Sequence, residues 1–346
     1  MSIFLIILAA GEGKRINTRL PKPFFLINQK TLLEHSRNPH HFGSLKGATH
    51  TAEGFNPLCG DKITIYLNID TEKLIIEARK LIKKDMGIIS KIENKHALKN
   101  IVNIIRATDS IMIARGDLAI DIGHSEVPKV QLSLIKKCSQ YSKSVIVATQ
   151  MLESMIENNS ATRAEINDIA TAIFQGADTV MLSAEAAIGK YPSQAVSTMS
   201  KTIISTEKYK KEHIGDFKNS IITNKDPVKS ILLSVKDIAY NTNVKAIIVF
   251  SNSGKSAKLV SAMRPAAKIF TISPNINVSR QVSLLWGVQS INSRDAHGWK
   301  DMMSISKEII KKLKFIKKND FVIITAGLPF GKAGMTNMIR LYKVGT

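Results

Sequence analysis

The sequence predicts an α/β fold: a parallel sheet with helical crossovers, of the (β/α)-barrel kind, followed by a second α/β unit. Two observations carry this expectation. Between Ile88 and Pro192 four short apolar runs each stop at polar residues, and the segments between them are long enough for one helix each. Beyond a polar, Lys-rich stretch from Thr206 to Lys225, the alternation of strand and helix starts again.

The four runs are Ile88–Asn94, Ile111–Asp117, Val145–Gln150 and Thr179–Glu185. In a (β/α) barrel the chemistry collects at the C-terminal ends of the strands. Here those ends carry Lys91 and Glu93, then Asp117, then Thr149, then Ser183 and Glu185. Ahead of the first run, Leu74, Ile75, Ala78, Leu81 and Ile82 fall on one helical face. After Pro192 a helix is expected through Ala195, Val196, Met199 and Ile203. In the second unit the pattern predicts a helix over Ser230–Ala239 and strands at Ala246–Phe250, Lys268–Ser273 and Phe321–Thr325. Helices are expected up to Arg264 and past Arg280. Near the C-terminus Lys307, Lys311, Lys314 and Lys318 alternate with Ile305, Ile309, Ile310, Leu313 and Ile316, the pattern of an amphipathic helix with a basic outer side.

Composition narrows the function class. A chain of 346 residues, 44% hydrophobic and 22% charged, buries a large core and makes about two or three domains. No apolar run approaches the ~20 residues of a membrane span, and Ile3–Ala10 lacks the basic start of a signal peptide. Two cysteines, Cys59 and Cys138, form no disulfide framework. The expectation is a cytoplasmic protein with no membrane partner. The net charge of +21 invites a nucleic-acid reading. The lysines are scattered, however, and aromatics make up only 6% of residues, so no nucleic-acid partner is expected. A basic surface also suits anionic substrates.

The motifs Lys91-Ile92-Glu93-Asn94, Ala114-Arg115-Gly116-Asp117, Ala148-Thr149-Gln150-Met151-Leu152-Glu153-Ser154-Met155, Thr162-Arg163-Ala164-Glu165 and Met181–Pro192 resemble pyruvate kinase, in order and with fitting spacing. The resemblance runs from about Thr71 to the C-terminus. It implies strands five to eight of a (β/α)8 TIM barrel, followed by the family's α/β C-terminal domain, which serves effector binding and oligomerisation. The implied domains are a partial barrel over 71–205, a linker over 206–226 and the C-terminal domain over 227–346. The implied reaction is glycolytic phosphoryl transfer from phosphoenolpyruvate to ADP, giving pyruvate and ATP, with Mg²⁺ and K⁺ as cofactors.

By that resemblance Glu93 and Asp117 hold Mg²⁺. Two hard oxygen ligands at neighbouring strand ends leave room for substrate oxygens and water, whereas a lone carboxylate there reads more simply as a solvated cap. Lys91 stabilises the moving phosphoryl group and the enolate oxygen. Ala114, Arg115, Gly116 and Asp117 bind substrate, their backbone N–H groups holding its carboxylate at a helix start. Thr149, also substrate-binding, lies near the carbon that is protonated, with Ser183 and Glu185 behind it. A hydroxyl is a poor acid, so a water chain serves better than direct transfer. Ser251, Asn252, Ser253, Gly254, Lys255 and Ser256 match the loop that binds a sugar-phosphate effector in regulated members. The alternative there is a bare strand-to-helix turn. Gly327–Asn337 matches the loop that helps close that site. Cys138 reads as a packing residue. Ala119, Ala184 and Ala186 depart mildly from the family pattern.

The first seventy residues belong to other patterns. Residues 1–36, with Gly11, Gly13, Arg15 and Lys22, resemble the opening of a nucleotidyltransferase. Residues 37–70, with Cys59 and Asp61, resemble the start of a U-type iron–sulfur cluster assembly scaffold. One thiolate and one carboxylate do not close a tetrahedral metal site without other ligands; His40, His41 and His50 are candidates, though loop histidines near a lone cysteine read more simply as solvated. The leader is expected to supply at most two strands, over Ile3–Ala10 and Lys62–Asn68. The family's phosphoryl-gripping arginine, its K⁺ ligands and its lid are not found in the sequence. Two outcomes stand side by side: a pyruvate kinase-like enzyme whose activity is in doubt, or an inactive chimeric remnant acting as an effector-binding or oligomerisation module; a homo-oligomer is among the assemblies the resemblance implies.

Overall fold

The computed structural model describes residues 4–9, 26–27, 30–31, 50–55, 62–67, 75–76, 78–80, 87–213, 225–328 and 336–346. In the leader, five strands are traced: β1 (Phe4–Ala9), β2 (Leu26–Ile27), β3 (Lys30–Thr31), β4 (His50–Phe55) and β5 (Lys62–Leu67). The sequence suggested two at most. The additional strands form by backbone pairing, β2 with β3 and β4 with β5, both antiparallel. His-Thr-Ala-Glu-Gly-Phe has no apolar alternation to announce a strand. Of the leader's candidate binding residues, His50 begins β4. Gly11, Gly13, Arg15, Lys22, His40, His41, Cys59 and Asp61 lie outside the described residues.

The helix expected before the first run is present at 75–76 and 78–80, with Ile75 fully buried. Then comes β6 (Gly87–Ile92), followed by α1 (Lys95–Lys99) and α2 (Ile101–Ala107). β7 (Ser110–Ala114) leads directly into α3 (Arg115–Ile122), and α4 (Val127–Gln140) follows. β8 (Ser144–Ala148) precedes α5 (Arg163–Gln175). The Thr162–Glu165 motif proves to be a capping box: Thr162 accepts from the Glu165 N–H, and Glu165 reaches back to the Thr162 N–H. β9 (Thr179–Met181), α6 (Ala184–Ala187) and α7 (Pro192–His213) close the unit. α7 runs on through the first residues of the stretch expected to be linker.

These strands form one parallel sheet in the order β1-β6-β7-β8-β9. The leader strand β1 thus lies along β6, Phe4 opposite Gly87 through Ala9 opposite Ile92. The side-chain period of two divides the sheet into two apolar faces. Ile88, Ile92, Ile111, Ile113, Val145 and Val147 pack against the helices. Ile89, Met112, Ile146 and Ala148 form a separate cluster on the opposite face. This is a barrel-domain fragment, as the sequence predicted.

The second unit begins with α8 (Pro227–Asn241), whose first turn is capped by Asp226. It continues through β10 (Ala246–Phe250), α9 (Lys255–Ala262), β11 (Lys268–Ser273), α10 (Ile276–Val282) and β12 (Val288–Asn292). α11 (Trp299–Lys312), β13 (Phe321–Gly327) and β14 (Thr336–Lys343) complete it. The sheet order is β12-β11-β10-β13-β14, parallel except for β14. Ala246 and Ile248 enter one core, Ile247 and Val249 the other, so β10 is covered on both faces and reads as a continuous apolar run. The amphipathic helix was expected to include Lys314 and Lys318. It stops at Lys312, because Leu313 leaves helical geometry while its N–H still bonds Ile309 and Ile310.

The two units meet at the N-terminal end of the first sheet. Arg264 donates to the Gly176 carbonyl (2.7 Å) and to Asp178 (2.8 Å), with its guanidinium 4.7 Å from the centre of the Trp286 ring. Trp286 Nε1 donates to Glu207 of α7, and Thr179 donates to the Leu284 carbonyl.

Candidate active site

At the C-terminal end of the first sheet, Lys91 and Glu93 project to the same side because they are two apart on a strand. β7 runs in register beside β6, so Asp117, in the first turn of α3, arrives next to them. Lys91 Nζ donates to Asp117 Oδ2 at 2.8 Å and forms an ion pair with Glu93 Oε2. Glu93 is buried, with 6% of its side chain exposed, whereas Asp117 is 57% exposed. Burial pulls the Lys91 ammonium down, but its bonds to Asp117 and Glu93 outweigh that and leave its pKa raised. Burial also raises the Glu93 carboxyl, against the pull of Lys91.

A second group is built around Thr149. Its Oγ1 accepts the Gly116 N–H at 2.9 Å and donates to the Ala148 carbonyl at 2.6 Å. Thr149 (φ 68°) and Gln150 (φ 53°) are both left-handed, an expensive conformation for a β-branched residue. Arg115 holds them there. It is buried, bonds the Thr149 carbonyl at 2.6 and 3.2 Å and the Gln150 carbonyl at 2.9 Å, and pairs with Asp168. The Arg115 side chain therefore points into the protein, and its backbone stands at the helix start. Nothing in the sequence singles out Asp168 or the Gln150 carbonyl as its partners.

Ser183 and Glu185 form a third group. Glu185, 3% exposed, accepts from the Ser183 N–H (2.7 Å) and the Leu152 N–H (3.2 Å). Both carboxylate oxygens are engaged by backbone, so Glu185 fixes the turn after β8 to the turn after β9. The first two groups are joined through Arg115-Gly116-Asp117. The third contacts neither Lys91 nor Thr149 by any hydrogen bond among the described residues.

Glu93 and Asp117 fit Mg²⁺. Two carboxylates from different strand ends converge on one cationic centre, here the Lys91 ammonium, and Asp117 faces solvent. Among the described residues no group of three or more His, Cys, Asp and Glu gathers as a metal site, so substrate oxygens and water would complete an octahedron. Among the described residues no set suited to K⁺ is recognisable.

The second sheet offers a different junction. Between β10 and α9, Asn252, Ser253 and Lys255 are exposed, while Ser251, Gly254 and Ser256 are buried. Gly254 has φ 76° and faces Val282 closely enough that a Cβ would come within 3.0 Å. Ser256 Oγ bonds Thr336 Oγ1 (2.5 Å), tying the loop to β14. Of Gly327–Asn337, residues 329–335 lie outside the described residues.

Known proteins bear directly on these arrangements. Residues 69–196 match the family model for the pyruvate kinase barrel domain, and residues 229–342 match that for the pyruvate kinase alpha/beta domain. Over both units the chain is similar to pyruvate kinase. A pyruvate kinase of Staphylococcus saprophyticus is 39% identical over 277 residues, covering 78% of this chain and 47% of the relative. That of Agrobacterium vitis is 37% identical over 272 residues, 78% of this chain and 56% of the relative. That of Staphylococcus aureus is 38% identical over 276 residues. The chain spans about half the length of these relatives. The pyruvate kinase-like segments carry all three groups and the loop at Ser251–Ser256. No helix among the described residues is long and apolar enough to cross a membrane.

Proposed function

We propose that this chain carries the metal-and-lysine part of a pyruvate kinase site, serving phosphoryl transfer from phosphoenolpyruvate to ADP. The observation that carries the reading is the convergence of Glu93 and Asp117 on Lys91 at the C-terminal end of the first sheet. Both carboxylates would hold Mg²⁺, which when bound offsets the charge of phosphate and enolate oxygens. Lys91, with a raised pKa, stays protonated and supports the phosphoryl group in flight. The Asp117 N–H and its neighbours at the start of α3 orient the substrate carboxylate. The Gly116 N–H is already engaged by Thr149. Thr149 keeps its hydroxyl in place between Gly116 and Ala148 and orients a water for protonation of the enolate carbon. Ser183 and Glu185 act as positioning residues for that end of the sheet.

The reading has a condition. The phosphoryl-gripping arginine, the K⁺ ligands and the lid implied by the resemblance have no recognisable counterpart in these 346 residues, so full turnover needs groups beyond the three described above. The test is pyruvate formation from phosphoenolpyruvate and ADP with Mg²⁺ and K⁺, with Lys91→Met as the blank. Turnover that vanishes in the variant supports a working site within the assembly tested. No turnover from folded protein, with Mg²⁺ binding retained, leaves inherited ligands without a complete site.

A second reading rests on the loop between β10 and α9. Its exposed Asn252, Ser253 and Lys255 beside a helix start suit a phosphate group. Under this reading the chain is an effector-binding or oligomerisation module that binds a sugar phosphate without turnover.

A further inference from the structure

Where β11 begins and where α11 and β14 end, lysines that look scattered along the chain come together. We propose that this basic end of the second unit is a docking surface for a membrane with anionic lipid headgroups, through Lys268, Lys307, Lys311, Lys314 and Lys318 around the exposed Phe315.

Contacts place these residues side by side. Lys307 and Lys311 stand one turn apart on the outer face of α11. The Lys307 ammonium lies 5.6 Å from the centre of the Tyr342 ring in β14. Beyond the helix, Phe315 stacks on Phe270 of β11, ring centres 6.2 Å apart. Lys268, the first residue of β11, sets its ammonium 4.4 Å from the centre of the Phe315 ring. The chain then meets the end of β14. The Asn319 N–H donates to the Val344 carbonyl, and the Lys318 stem lies against Gly345. All five lysines are exposed, and Phe315 is 39% exposed.

The acids of these elements do not neutralise the set. β11 and β14 contain none, and residues 299–320 contain Asp301, Glu308 and Asp320. Asp301 is paired with Arg294, roughly 15 Å along the helix from Lys311. Glu308 accepts from the Ser304 hydroxyl at 3.4 Å, and Asp320 accepts the Lys317 N–H at 2.7 Å. The carboxylate of Thr346 accepts from the Tyr342 hydroxyl at 3.2 Å and adds one more negative charge. Lys312, Lys317 and Lys343 are exposed beside the five, so the face keeps a positive excess. None of the five forms an ion pair among the described residues.

Chemistry selects the occupant. Ammonium groups are point charges without the planar fork of arginine, so they suit many loosely held headgroups rather than one bidentate ligand. The ring contacts of Phe315 with Phe270 and Lys268 take up surface that a stacked nucleic-acid base would need. An exposed ring among lysines gains at a lipid–water boundary, while lysine stems carry their charge to the headgroups. A duplex backbone has no use for the ring. A second copy of this chain would set lysines against lysines. The expectation of no membrane partner rested on the lack of a span, and adsorption to a surface needs none.

The test is cosedimentation of the full chain with phosphatidylcholine vesicles, with and without phosphatidylserine, at rising salt. Binding is expected only to the anionic vesicles, and it should weaken as salt screens the lysines. Each lysine near an anionic leaflet contributes about fivefold in affinity, so Lys311→Gln/Lys314→Gln/Lys318→Gln should weaken binding by about a hundredfold. Lys99→Gln/Lys136→Gln/Lys201→Gln removes the same charge from exposed positions of the first unit and should cost less than about threefold. Exposed substitutions of this kind leave the fold intact. The proposal is overturned if anionic vesicles are not bound, if pure phosphatidylcholine binds equally, or if the two triple variants weaken binding alike. It is equally overturned if a DNA duplex is bound more tightly than the vesicles and the first triple variant loses it, which would make this a nucleic-acid surface.

Discussion

At the C-terminal end of the first sheet two carboxylates share one ammonium. At its N-terminal end carboxylates and cations are paired along the seam between the two units, Asp109 with Arg79 and Lys258, Asp178 with Arg264. The strands are the same and the rules of packing are the same, yet the two ends use charge differently. In the first arrangement, Glu93 and Asp117 around Lys91, carboxylates outnumber cations, and Asp117 stands open to solvent. In the second, both carboxylates are also held by backbone N–H groups, Asp109 by Ile88 and Asp178 by Val145. In a barrel-type sheet the C-terminal face carries chemistry and the opposite face stability. This molecule adds a second unit to the opposite face, and these pairs sit where the two units join.

The largest expected effect comes from breaking the joint itself. Asp178 and Arg264 are almost fully removed from water, with 9% and 13% of their side chains exposed. Asp178→Ala leaves a buried guanidinium without its carboxylate, so a loss of about 3–5 kcal/mol is expected in denaturant unfolding. A loss under 1 kcal/mol would mean the seam is wet and contributes little. Removing both partners, as Asp178→Ala with Arg264→Met, should recover part of the loss.

At the opposite end, Lys91→Met should tighten Mg²⁺ binding by about tenfold, since it removes the cation competing for Glu93 and Asp117. The same substitution abolishes any phosphoryl transfer. Glu93→Gln should weaken Mg²⁺ binding by about a hundredfold, measured by titration without substrate. If Lys91→Met leaves the affinity unchanged, the metal sits elsewhere and the contrast between the two ends loses one side.

How much of this was legible in the sequence follows from chain separation. β6 to β9 could be read because each is an apolar run halted by polar residues, and Lys91, Glu93 and Asp117 could be grouped because they sit at consecutive strand ends. β12, Val-Gln-Ser-Ile-Asn, could not be read. It is an edge strand with no fully buried residue, so alternation is weak. β14 was missed as well. It pairs antiparallel at the other edge and carries a polar, half-exposed pattern. The inward turn of Arg115 was hidden because its acceptors are the carbonyls of Thr149 and Gln150, and carbonyls leave no mark on a sequence. The N-terminal seam was invisible for a related reason. Asp109, Lys143, Asp178, Lys258 and Arg264 stand far apart, each looking like an ordinary turn or helix-end residue.

The pH dependence separates the two ends further. Burial would raise the Asp109 carboxyl, but Lys258, the Ile88 N–H and Arg79 outweigh it and leave its pKa lowered. A carboxylate with a lowered folded pKa contributes stability above the ordinary aspartate range, and that contribution is lost as pH falls through the folded value. Glu93 is raised, so its ionisation opposes folding and acid does not penalise it in the same way. Asp109→Asn should therefore flatten the acid limb of the stability–pH curve, whereas Glu93→Gln should not. The curves are read from unfolding midpoints between neutral and acidic pH. Equal flattening by both variants would erase the distinction.

The smallest effect is also the sharpest. Ser142 holds φ 54° on the turn between α4 and β8, and its buried hydroxyl has no hydrogen-bond partner among the described residues. A left-handed L-residue is strained by roughly 1–2 kcal/mol, and glycine gives part of that back through the freedom of the unfolded chain. Ser142→Gly should thus stabilise the protein by about 0.5–1 kcal/mol in denaturant unfolding. A loss instead of a gain would mean that the hydroxyl is held by an ordered water that glycine cannot keep.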